Sequence, residues 1–137
     1  MTPDRERAIK RYTQWFGSYK KSGELKKLPV WLTVNNGRIE FLTLADSYKV
    51  KRVRRNPRVI CFVGSESGPA ISGTAEIITD KEAMQPVYRA YWKSHPVAMI
   101  FIGFGINQRI KAGKEVVVRV HPDEPNPLAG LTNPAVE

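Results

Sequence analysis

The stretch Leu42-Thr43-Leu44-Ala45-Asp46-Ser47-Tyr48-Lys49-Val50-Lys51-Arg52-Val53-Arg54-Arg55-Asn56-Pro57 reads as a strand that turns at Asp46-Ser47 into a short helix, stopped before Pro57. Asp46 or Ser47 supplies the cap, since each offers a side-chain oxygen to a free backbone N–H. The charges that follow have the wrong sign for an ordinary helix start. A helix N-terminus carries partial positive charge and favours Asp or Glu in its first turn. This one offers Lys49, Lys51 and Arg52, and no acid until Glu66. The conflict is relieved if an anion sits there. Free amides, a hydroxyl and flexible cations around one point suit a phosphate. The plainer alternative is a solvated basic helix that tolerates a small penalty.

Working outward, Asn35-Asn36-Gly37 is the clearest hairpin signal, because Asn and Gly accept positive φ in a tight turn. It joins a strand within Leu25 to Val34 to a returning strand, Arg38 to Thr43. Upstream, Asp4 to about Gln14 has the spacing of a short amphipathic helix, and Trp15 to Lys20 reads as a strand. Downstream, Arg58 to Val63 is a continuous apolar run of buried-strand type. Ala70 to Thr79 alternates, with Ile71, Gly73, Ala75 and Ile77 on one side. Asp80 caps a helix through Met84, Val87 and Tyr91, within which Pro86 is expected to kink or delay the first turns. Val97 to about Ile110 is a second helix. Its run Ala98 to Phe104 is too apolar for a lone surface helix and calls for core packing or a dimer interface. Lys114 to Val120 is the last strand, and the prolines after His121 argue for an irregular tail over 121–137. The sum is mainly β: about six short strands in largely meander order, forming a small antiparallel barrel with a few helices.

The chain has 137 residues, enough for one domain with a real core. Lys and Arg outnumber acids 22 to 13, for a net charge of +9. That balance attracts phosphates on nucleic acid, lipid or a cofactor. Met1 to Lys10 is polar and charged, unlike a signal peptide. No apolar run approaches the roughly 20 residues of a membrane span. The lone cysteine, Cys61, sits among Val59, Ile60, Phe62 and Val63, so a buried structural thiol in a cytoplasmic chain is the expectation.

No acid–base constellation, Walker loop or Gly-x-Ser-x-Gly elbow is present. His95 and His121 each precede a proline, read as loops, and lack partners at zinc spacing. If the chain is an enzyme, a cofactor is expected to carry the reaction. Pro29 marks an edge strand or a backbone facing something other than a strand. Trp31 beside it fits a core aromatic better than a stacking platform.

The residues Leu28-Pro29-Val30-Trp31, Asn36-Gly37, Phe41-Leu42-Thr43, Asp46-Ser47-x-Lys49-x-Lys51-Arg52, Asn56-Pro57-Arg58-Val59, Gly68-Pro69 and Ile71-Ser72-Gly73-Thr74-Ala75 resemble the pyridoxamine 5'-phosphate oxidase-like family of flavin-binding split β-barrels. The spacing is most similar to the actinobacterial branch that uses a deazaflavin. Strong similarity runs from about Leu28 to Ile78. The resemblance implies a six-stranded antiparallel split β-barrel, dimeric, with FMN or deazaflavin (coenzyme F-420) at the subunit interface. It implies Pro29, Val30 and Trp31 beside the ring system. It places Thr43, Ser47 and Lys49 on the phosphate, with Lys51 and Arg52 assisting. It implies an oxidoreductase passing hydride to or from a small-molecule substrate. Tyr91, Trp92 and Arg109 are candidates for contacts to the partner subunit. Tyr48 stands where oxidases proper often carry a basic residue, so oxidation of pyridoxamine phosphate itself is not implied. A non-catalytic flavin carrier is the alternative on the same fold. A nucleic-acid-binding barrel, drawing on Arg52, Arg54, Arg55 and Arg58, is disfavoured because few aromatics alternate with the basic residues.

Overall fold

A computed structural model describes residues 14–123. Seven strands form one antiparallel sheet: β1 (Gln14–Tyr19), β2 (Leu25–Val30), β3 (Thr33–Asn35), β4 (Arg38–Leu44), β5 (Arg58–Val63), β6 (Ala70–Ile78) and β7 (Glu115–Pro122). Three helices accompany them: α1 (Tyr48–Arg55), α2 (Lys81–Ser94) and α3 (Pro96–Lys111). The spatial order is β2-β1-β5-β6-β7-β4-β3. The sheet thus begins and ends on strands that follow each other in the chain, linked only by Trp31-Leu32. That link forces the sheet to curl until its two edges meet, as a half-barrel.

The expectation of six strands is corrected here. Leu25 to Val34 is two strands, because the chain leaves the edge beside β1 at Val30 and re-enters beside β4 at Thr33. The largely meander order holds for β1–β2, β3–β4, β5–β6 and β6–β7, and breaks where β1 pairs with β5 and β4 with β7. His121 is part of β7, not of a loop, and that strand runs on through Pro122. The helix expected over Asp4 to Gln14 lies outside the described residues, except for Gln14, which opens β1. The tail expectation lies outside them beyond Asp123.

The predicted hairpin forms between β3 and β4. Asn36 and Gly37 take φ of 53° and 76°, and Asn35 pairs with Arg38. This is the two-residue turn whose twist matches the strands it joins. Alternation then sorts the strand residues. Ile39 and Phe41 of β4, Ile71 and Ala75 of β6, and Val118 and Val120 of β7 join Phe16, Val59, Cys61 and Val63 in the interior. Phe16 and Phe41 meet edge to face, their centroids 4.8 Å apart. Burial pushes the Cys61 thiol up to about 12, so it packs as an apolar group.

α1 supplies Val50 and Val53 to the buried set and leaves Lys51, Arg54 and Arg55 exposed. A second apolar cluster lies outside the barrel. Met84, Val87 and Tyr91 of α2 and Met99, Ile106 and Ile110 of α3 pack with Val117, Leu42 and Trp31. The helix pair therefore covers the outer face of β4 and β7. Pro86 is accommodated inside α2, on its exposed side.

Candidate functional site

β3 is short, and this opens the barrel. It pairs with β4 only as far as Glu40, so the outer edge of β4 beyond that point has no strand beside it. Tyr91 of α2 fills the first position. Its hydroxyl accepts the Leu42 N–H at 2.8 Å and donates to the Trp31 carbonyl at 3.2 Å. A buried amide left without such a partner costs about 1–3 kcal/mol. The hydroxyl is held well above its usual ionisation range by burial, and stays a neutral donor. Past Tyr91, the gap between β2 and β4 remains open as a cleft of about 330 Å³.

The cleft is lined by Pro29, Val30 and Trp31 on one wall and Leu42, Thr43 and Leu44 on the other. Lys49, Arg109 and Glu115 bring charge to it, and Ile102 and Ile106 of α3 add apolar surface. Of the residues picked out in the sequence, Pro29, Val30, Trp31, Thr43 and Lys49 thus meet around one space. Ser47, Lys51 and Arg52 do not line it. Ser47 is the cap of α1, chosen over Asp46: its Oγ accepts the Val50 N–H at 3.4 Å. Lys51 and Arg52 lie over the exposed Tyr48 ring, at 5.1 and 5.8 Å from its centroid. Arg52 keeps one guanidinium nitrogen buried with no hydrogen-bond partner among the described residues.

Trp31 meets the expectation of a packed aromatic. Its ring stacks on His95 with centroids 4.0 Å apart and planes 9° apart, and meets Tyr91 edge to face at 5.2 Å. Burial holds the His95 imidazole below its usual range, which favours the neutral ring in that stack. The Trp31 ring thus packs against side chains of the helical layer.

Lys49 is half-buried in the cleft, and its ammonium is held below the usual range. Desolvation is the main cause, Arg52 adds to it, and Glu115 opposes it. No ion pair to Lys49 forms among the described residues. Glu115, opposite Leu44 at the start of β7, is buried. Its Oε1 accepts from Arg109 Nε at 2.9 Å, while its Oε2 has no partner among the described residues. Desolvation raises its pKa, against the pull of Arg109 and Lys49. The Lys114 N–H donates to the Arg109 carbonyl at 2.9 Å, which fastens the end of α3 to β7 and brings these two side chains together.

Sequence reasoning missed Glu115. Its signal was an acid set among Val116, Val117 and Val118, where a strand buried on both faces seldom carries one. Arg109 and Tyr91, expected at a partner subunit, are engaged within their own chain. Trp92, the third of that set, is exposed.

The profile described as pyridoxamine 5'-phosphate oxidase matches residues 5–127. The chain belongs to the pyridoxamine 5'-phosphate oxidase family. Solved structures of the same fold extend the likeness. The conserved protein Rv2991 of Mycobacterium tuberculosis is 22% identical, with a TM-score of 0.71 over 97% of this chain and 90% of that one. An F420 reductase is 16% identical, with a TM-score of 0.57 over 87% and 93%. General Stress Protein 26 of Bacillus anthracis is 15% identical, with a TM-score of 0.64 over 90% and 91%. At these identities the structures speak for the fold alone. No curated protein matches the sequence. Membership of this oxidase family carries the flavin association, and no helix among the described residues is long and apolar enough to cross a membrane.

Proposed function

We propose that this chain is a flavin- or deazaflavin-dependent oxidoreductase whose cleft between β2 and β4 holds the coenzyme. One observation carries the reading: Lys49, without an ionic partner among the described residues, lies in the same cleft as the edge backbone of Pro29, Val30 and Trp31. A flat ring system suits the walls, and a phosphate suits the end where α1 begins.

The donor set fits such a group. Lys49 and Thr43 face the cleft, and the Ser47 hydroxyl, whose oxygen already accepts from Val50, keeps its proton free to donate. Lys51 and Arg52, on the same turn but outside the cleft lining, add to the positive field. When bound, the coenzyme supplies hydride chemistry; the protein supplies binding and orientation. Tyr91 sets the width of the opening by tying Trp31 to Leu42, and Ile102 and Ile106 keep water from the inner wall.

The test is titration of the purified chain with FMN and with coenzyme F-420, followed by reduction of the bound chromophore. Tight binding of one, with electron transfer to an added acceptor, is expected. Binding without electron transfer would leave the carrier reading; binding of neither would defeat both. The nucleic-acid reading loses support from the geometry. Arg58 is paired with Asp123 at 2.8 Å, so its charge is already answered within the chain, and Arg55 donates to the Tyr19 carbonyl at 2.9 Å.

The reading includes a homodimer. α3 leaves Val97, Ile100, Phe101 and Phe104 exposed, and Phe101 keeps 82% of its surface in solvent. These residues flank Ile102 and Ile106 at the cleft, so a second subunit on this face would close it. Phe101→Glu is expected to give a folded monomer by sedimentation velocity, with coenzyme affinity reduced about tenfold or more. A dimer of unchanged affinity would refute this assignment of the face.

A further inference from the structure

We propose that a second hollow, between β3 and α2, binds an amphipathic organic anion, with its charged end between Arg89 and Lys93 and its apolar body over Leu32, Val34, Pro86 and Ala90. The hollow has a volume of about 560 Å³ and is larger than the cleft. Thr33 and Ser94 complete its lining, and none of the lining side chains is acidic.

The charge arrangement supports this occupant. Arg89 and Lys93 are four residues apart on α2, hence neighbours on one helix face. Like charges at that spacing repel. Lys93 in the last turn is explained by the helix dipole. Arg89 is not. No ion pair to either side chain forms among the described residues. The hydroxyls in the lining carry no charge to answer them, and each spends its proton elsewhere: Ser94 Oγ donates to the Ala90 carbonyl at 2.9 Å and Thr33 Oγ1 to the Glu40 carbonyl at 2.9 Å. Two cations over an apolar floor match a carboxylate or sulfonate carrying a hydrocarbon body, in a space of ordinary ligand size.

The hollow is distinct from the coenzyme cleft. Ala90 and Ser94 of α2 face the hollow, while Tyr91 faces the cleft. No residue is common to the two linings: Trp31 lines the cleft, and Leu32, the next residue, lines the hollow. The proposal does not depend on which coenzyme binds, or on whether one does.

Decanoate and decyltrimethylammonium are suitable probes, because they share a tail and differ in charge. Decanoate is expected to shift the backbone amides of Leu32, Val34 and Ser94 in heteronuclear NMR spectra, with decyltrimethylammonium leaving them in place. The double variant Arg89→Glu/Lys93→Glu should weaken decanoate binding about tenfold or more, by reversing two partly exposed charges. Ala90→Trp, which fills the hollow and keeps both cations, should weaken it likewise. Shifts confined to the apolar face of α3, equal response to both probes, equal affinity in both variants, or no binding at all would each overturn the proposal.

Discussion

Lys49→Glu is expected to lower affinity for FMN, and for the deazaflavin coenzyme, by at least about 100-fold, with folding and dimerisation unchanged. The size follows from the surroundings. Lys49 is half-buried, so its attraction for an anion is screened less than that of a surface lysine. The variant removes a favourable charge and installs a repulsive one beside Glu115, which already lines the cleft. A carboxylate at this place also suits the start of α1, which has no acid in its first turn. The helix start gains the acid it lacks, the repulsion beside Glu115 offsets that gain, and the ligand loses its partner. A loss of binding therefore cannot be attributed to a damaged helix. Thermal unfolding of the ligand-free variant should stay close to that of the parent protein. Affinity within about threefold of the parent would remove the phosphate from this corner.

That conflict of charges was legible in the sequence because it is local: a cap, a dipole and three cations within one turn. The hairpin at Asn36-Gly37 was legible for the same reason, since positive φ is a property of those residues. The division of Leu25 to Val34 was not. Trp31 and Leu32 are good strand residues, and nothing nearby breaks the pattern. The break comes from closure, because a sheet whose first and last strands adjoin in the chain must release one edge before joining the other. Glu115 and Arg109 were illegible as a pair for a related reason. Six residues apart, they meet only because α3 ends by turning directly into β7. Lys51 and Arg52 illustrate the limit of reading charge from spacing. The sequence groups them with Lys49, but the helix turns Lys49 into the cleft and leaves the other two over the Tyr48 ring.

Glu115 makes coenzyme binding depend on pH, and Glu115→Gln should abolish that part of the dependence. The carboxyl is desolvated and its folded-state pKa lies above the ordinary glutamate value. The charged and titratable groups around it are Arg109 from α3, Lys49 from α1 and the Tyr91 hydroxyl from α2; Leu44, its partner on β4, is apolar. A phosphate docking on Lys49 adds negative charge nearby and weakens the lysine's hold on Glu115, so it raises that pKa further. Docking therefore draws in a proton, which the buried, unpartnered Oε2 can carry. The sign follows from linkage. Affinity is greatest below the pKa of the free site, falls by up to about tenfold per pH unit between the free and occupied values, and levels off above both. A phosphate monoester's own second ionisation near pH 6 acts the other way. It is common to both proteins, so the ratio of their affinities isolates Glu115. Measured from pH 5 to 9, the affinity of Glu115→Gln relative to the parent should rise with pH, because the amide never becomes an anion. Calorimetry in buffers of different ionisation enthalpy should show proton uptake by the parent and less by the variant. A purely structural role, in which Glu115 only anchors Arg109, predicts a constant ratio across the range, and that outcome would remove the carboxyl from the binding event.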